Sequence, residues 1–141
     1  MLFCHATPRS DAEVFTRATP TDRLAPILEP TGAPVVGCGH THMQFDRVVG
    51  RVRVVNAGSV GMPFGKPGAY WLLLGPGVEL QRTPYDFADA AERIRATDYP
   101  QAERFAAGAV LQPPSETDML AAFGRAELKS EPGTAPDRGG E

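Results

Sequence analysis

Apolar and polar positions alternate along this chain in a way that predicts strands first and helices later. Leu2-Phe3-Cys4 opens it as a short buried strand. Ser10-Asp11-Ala12-Glu13 has the form of a capping box, which predicts a short helix over residues 10–18. A second helix is expected from about Pro20 and Asp22 to just before Pro30, with Leu24, Ile27 and Leu28 on one face. The apolar run 33–38 reads as another buried strand. A strand, a helical connection and a second strand predict a right-handed parallel unit, whose two strand ends meet at one edge where ligands commonly bind.

From Gln44 the period shifts to two. Residues 45–49 and 51–55 alternate about a turn at Gly50 and predict an antiparallel hairpin. A glycine-rich loop follows at Asn56-Ala57-Gly58-Ser59-Val60-Gly61, and residues 69–74 and 78–82 form a second predicted hairpin across Gly75-Pro76-Gly77. Beyond Tyr85 the spacing becomes helical. Asp86 is placed to cap a helix to about Thr97, Pro100 to begin one to about Ala109, and Ser115 with Asp118 to begin one to about Leu128. The last residues carry Pro, Gly, Ser and charge without apolar periodicity, the composition of a disordered tail. The expected organisation is therefore 1–84, a helical extension at 85–128, and a tail at 129–141.

Composition narrows the classes. The chain has 141 residues, 42% hydrophobic and 22% charged, room for one modest core. Fifteen glycines and 14 prolines favour short elements and many turns. A net charge of -3 argues against a nucleic-acid surface. No apolar run is long enough for a membrane span, and no secretory signal pattern is present, so a cytoplasmic protein without a membrane partner is expected. The two cysteines, Cys4 and Cys38, each sit within apolar runs and read as reduced thiols.

The candidate chemistry is concentrated in the three histidines. His5 closes the first apolar run and His40 and His42 close the second, so the parallel unit brings His5 and His40 to one edge. In extended backbone His40 and His42 project to one side, and Gly37 and Gly39 leave room for close approach. Imidazole ligates zinc, manganese, iron or nickel. Cys38, His40 and His42 are also a candidate structural zinc set. Such sites bring two closely spaced pairs, however, and the only other cysteine is Cys4; a catalytic type of site is preferred.

Leu2-Phe3-Cys4-His5-Ala6-Thr7-Pro8, then Gly39-His40-Thr41-His42, then Asn56-Ala57-Gly58-Ser59-Val60-Gly61 resemble, in this order, the second half of a calcineurin-like metallophosphoesterase of the small bacterial branch. Alanine stands at 57 where that pattern has proline. The likeness runs from about Leu2 to Asp86. It implies an α/β fold, part of a metallophosphoesterase-type α/β/β/α sandwich followed by C-terminal helices. It implies a hydrolase acting on phosphomonoesters or phosphodiesters, in which two divalent metal ions (Mn, Fe, Zn or Ni) clamp the ester while a metal-held hydroxide attacks phosphorus. By position, His5 and His40 would ligate one metal and His42 the other.

The family pattern also requires an Asp-x-His, a Gly-Asp and a Gly-Asn-His that supply carboxylate ligands and a further histidine, and none occurs in these 141 residues. The chain is therefore expected to be the C-terminal half of such a domain, holding one metal or none and inactive by itself. Three explanations stand: a truncated product, which is favoured; a separate polypeptide supplying the N-terminal half; or a degenerate, non-catalytic metal-binding remnant. A half domain would expose a sheet edge. No catalytic group is assigned within the chain. Arg9, Arg47 and Asn56 are candidate substrate contacts, each weighed against an ordinary role: a solvated arginine, a hairpin ion pair beside Asp46, and a tight turn at 56–61. Phe64, Tyr70 and Trp71 are candidates for base stacking or for core packing.

Overall fold

Leu2–Phe3 (β1) and Val35–Cys38 (β2) pair in parallel, with Leu2 opposite Val36 and Phe3 opposite Gly37. This computed structural model describes residues 1–128. Val52–Asn56 (β4) continues the parallel sheet on the far side of β2, and Phe45–Val49 (β3) adds antiparallel to β4, for the order β1-β2-β4-β3. Thr21–Leu28 (α1) lies in the β1–β2 connection and turns Leu24, Ile27 and Leu28 inward. The predicted parallel unit and first hairpin are thus present, and so is the predicted helix face.

Side-chain alternation divides the sheet into two faces. Val36, Val52 and Val54 join Leu24, Leu28 and Phe15 in the main core. On the other side Arg53 reaches the Val78 carbonyl of a second hairpin, Ala69–Leu74 (β5) with Val78–Thr83 (β6). Gln44 ties loop and hairpin together, donating to the carbonyls of Ala57, Trp71 and Gln81. Between sheet and hairpin lies an open cavity of about 410 Å³ lined in part by Phe3, Gly37, Trp71 and Leu74. Among the described residues β1 is a free edge, and Phe3 is 63% exposed.

The helix expected over 10–18 does not form. The capping-box reading needs the Glu13 carboxylate to reach back to its own turn. Instead Glu13 is 1% exposed and accepts from Thr7 Oγ1 and the Arg9 guanidinium, while the Ser10 amide donates to the carbonyl and hydroxyl of Thr7. Satisfying a buried carboxylate takes precedence over one weak helical turn. Phe15, in the same stretch, enters the main core.

Phe87–Arg95 (α2) begins at Asp86, whose side chain accepts from the Ala88 and Asp89 amides. Ala102–Phe105 (α3) runs directly into a wide π-type turn over Ala106–Leu111. Glu116–Ala126 (α4) is capped by Ser115. α2 and the wide turn build a small second core from Ala91, Ala106 and Val110. α4 is fastened at both ends: the Gly65 amide donates to the Pro114 carbonyl at 2.8 Å, and the Leu128 amide to the Val14 carbonyl at 2.9 Å. Among the described residues no helix is long and apolar enough to cross a membrane. The expected tail at 129–141 lies outside the described residues.

Candidate metal centre

Parallel pairing of β1 with β2 carries His5 and His40 to the same edge. The Cys4 amide donates to the Gly37 carbonyl and the Gly39 amide to the His5 carbonyl, extending the pairing past both strand ends. Nε2 of His5 then stands 3.0 Å from Nδ1 of His40, with the rings edge to face.

The backbone that presents the other pair is not extended. His40 has φ +65° and His42 φ +58°, both left-handed. The Thr41 amide folds back onto the Gly39 carbonyl at 2.7 Å, which places His40 at the centre of a tight turn. Such turns are uncommon and strained for residues bearing a Cβ, so the extended backbone expected for His40 and His42 is not what presents them. His42 turns instead toward the loop after the glycine-rich segment. Its Nδ1 lies 3.0 Å from the Met62 carbonyl and its ring stacks on Phe64 with centroids 5.7 Å apart. A carbonyl can only accept, so His42 Nδ1 carries the proton and Nε2 is left as a lone-pair donor. A second bond of this kind commonly orients a metal-ligating imidazole.

Burial lowers the His40 pKa first, and the neighbouring His5 and His42 lower it further, against the Ala12 backbone and Asp11. The neutral ring, which is the ligating form, is therefore favoured. The same surroundings act on the thiols. Burial pushes Cys38 up to about 12, with Cys4 adding to the effect. It raises Cys4 as well. Neither thiol is a ready thiolate ligand, which weighs against the structural zinc set.

The candidate substrate contacts fall in three different places. Asn56 is fully buried: its amide donates to the Gly39 carbonyl at 2.6 Å and Thr41 Oγ1 at 3.2 Å, and its oxygen accepts from the Gly58 amide. It braces the histidine loop, with both amide hydrogens committed to that loop. Arg47 donates to the carbonyls of Arg17 and Thr19 and to Thr21 Oγ1, tying β3 to the start of α1. Its guanidinium is thereby committed away from the histidines. Arg9 forks onto Glu13. Asp46 forms the hairpin ion pair with Arg53. Gly37 does not clear space for a ligand, since a Cβ there would meet the Phe3 ring at 3.0 Å.

Sequence reasoning missed three participants: the Met62 carbonyl, the placement of Phe64 against His42, and Asp11, the carboxylate whose charge His40 feels. The first two lie twenty or more positions from His42, and only the return of the 56–64 loop reveals them. Among the described residues no cluster of three or more His, Cys, Asp or Glu side chains is assembled for a metal.

The family model for the calcineurin-like phosphoesterase superfamily domain matches residues 1–74. The chain belongs to this superfamily. Two solved structures share the superfamily member's fold. A hypothetical protein from Pyrococcus horikoshii is similar at TM-score 0.64 and 19% identity, over 81% of this chain and 47% of that one. A metallophosphoesterase from Sphaerobacter thermophilus is similar at TM-score 0.54 and 22% identity, over 76% of this chain and 55% of that one. The chain thus spans about half the length of either structure. No curated protein gives a significant match.

Proposed function

We propose that this chain carries the imidazole portion of a metal-dependent phosphoesterase centre that hydrolyses phosphomonoesters or phosphodiesters. His5 and His40 would hold one divalent cation and His42 a second. The observation that carries the reading is the convergence of His5 and His40 from separate parallel strands to 3.0 Å, within joint reach of one cation at a metal–nitrogen distance of about 2.1 Å.

The donor chemistry fits one cation and falls short of two. Imidazoles suit Mn, Fe, Zn or Ni, and His42 is already oriented by Met62. Three neutral ligands, however, do little to offset the repulsion between two closely spaced dications, and no carboxylate cluster joins them among the described residues. Bound cations of this kind acidify water and neutralise charge on phosphoryl oxygens. The chain's own residues orient and support: Asn56 fixes the His40–His42 loop, Met62 fixes the His42 tautomer, and burial keeps His40 neutral.

Titration of the chain with manganese(II) or zinc(II), followed by calorimetry, tests the reading. His5→Ala and His40→Ala should each weaken uptake by at least about tenfold, the scale expected for losing ligand support. Uptake unaffected by either substitution would sink it. The same shortage of carboxylates favours a second reading, a partner-dependent or non-catalytic binder of one cation. Mixing the chain with a polypeptide bearing Asp-x-His, Gly-Asp and Gly-Asn-His motifs separates the two. Hydrolysis of a bis-aryl phosphate in the mixture supports the half-enzyme, and persistent inactivity with retained metal supports the binder.

A further inference from the structure

A second cavity, of about 470 Å³, opens between the loop after the glycine-rich segment and the C-terminal helices. Phe64 forms one wall; its ring also stacks on His42 and lies tilted against Phe123 with centroids 5.9 Å apart. An occupant of the cavity therefore lies one ring away from the candidate metal ligand. The facing wall holds Tyr99 and Phe105, packed edge to face with centroids 6.3 Å apart. Tyr99 remains 51% exposed, so much of its surface is unspent. Gln101 and Arg104 also line the cavity, and their side chains make no hydrogen bond or ion pair among the described residues.

The floor is made by backbone. Gly108 lies in the wide turn over Ala106–Leu111, and a Cβ built there would meet nothing within 4 Å. Wide π-type turns cost hydrogen-bond geometry and occur most often at functional sites. The combination is a chamber of ligand size, walled by aromatic rings, with a free guanidinium and a free amide.

We infer that this cavity binds a planar aromatic group, the organic moiety of the phosphate ester held at the histidines. The inference rests on the phosphoesterase reading for the ester and on the cavity itself for the ring. Phe64 and Tyr99 supply stacking faces, Arg104 supplies a cation for the ring face or its polar substituents, and Gln101 supplies an amide for its edge. The helical extension thereby sets specificity for a centre whose ligands lie in the first half of the chain.

Calorimetric titration of the full chain with phenylphosphonate and with methylphosphonate, with and without manganese(II), tests it. Phenylphosphonate should bind at least tenfold more tightly than methylphosphonate. Gly108→Phe, which fills the chamber from its open floor, should bring the two within about twofold while leaving methylphosphonate affinity unchanged. Tyr99→Ala, a change at an exposed position, should weaken only phenylphosphonate, by several-fold. A failure of the metal reading looks different: both affinities ignore manganese(II) and His42→Ala, yet the phenyl preference persists and still disappears in Gly108→Phe, which supports the cavity. Equal affinities in the unmodified protein, absence of phenylphosphonate binding, or a preference that survives both Gly108→Phe and Tyr99→Ala would overturn it.

Discussion

His40 and His42 hold left-handed backbone that histidine adopts reluctantly, at a cost on the order of 1 kcal/mol or more each. Asn56 is what sustains it, through bonds on both sides of His40 and one to Gly58. Asn56→Ala should therefore destabilise the protein by about 3 kcal/mol, since several buried polar groups lose their partner at once. It should also weaken metal uptake, because the loop is no longer held. Denaturant melts combined with metal titration check this; a stable variant with unaltered uptake would mean that Asn56 does not hold the loop. Cys38 offers a simpler test. With its thiol pushed up to about 12 by burial, it should resist Ellman's reagent at about pH 8 until the chain is unfolded, far above which lies its thiolate form. Immediate titration of both thiols in the folded protein would contradict the placement.

At the scale of elements, most strands and helices were readable because each carries its own period or cap. The hairpin strand at Val52–Asn56 opens with alternating Val52, Arg53 and Val54, α1 displays Leu24, Ile27 and Leu28 at helical spacing, and α2 starts at a carboxylate cap. Asp86→Ala should cost about 1 kcal/mol, read as a lower midpoint in urea. The segment 10–18 was misread because Glu13 can serve either a capping box or a buried pair with Thr7 and Arg9, and only the tertiary context chooses. The Asp46–Arg53 pair links β3 to β4. Its hydrogen bond to Arg53 holds Asp46 below the usual value of 3.8. The contribution is thus present above that value and lost as pH falls through the lower folded one. It is small, because both side chains are partly exposed. Melting temperature should fall more between about pH 5 and pH 2.5 in the parent than in Asp46→Asn; equal slopes would mean the pair is idle.

Over the whole molecule, a sheet half and a helical half of unequal character lie against one another. The sheet half brings the histidines together; the helical half closes against it through Gly65–Pro114 and Val14–Leu128 and leaves the chamber beside His42. The opposite side is less complete. Among the described residues β1 is an unpaired edge, and Phe3, Leu73, Leu74 and Leu80 stand exposed near it or on the second hairpin. Unpaired edges and apolar patches favour association. Sedimentation should show concentration-dependent oligomers, reduced by Phe3→Lys; a monomer at all concentrations would mean that this surface is inert.

Local pattern determined the elements, and the ordered histidine and asparagine motifs determined the superfamily, because periodicity, caps and short motifs are properties of neighbours in the chain. The meeting of His5 with His40 was also legible, since a parallel strand pair leaves few other places for two strand ends. Only the tertiary structure decided where His42 looks, that Asn56 is buried beneath the histidine loop, and that Arg9 and Arg47 hold protein partners. Those outcomes turn on which buried polar group finds which partner across tens of residues, and on a loop whose left-handed backbone at His40 and His42 departs from the extended path that sequence spacing suggests.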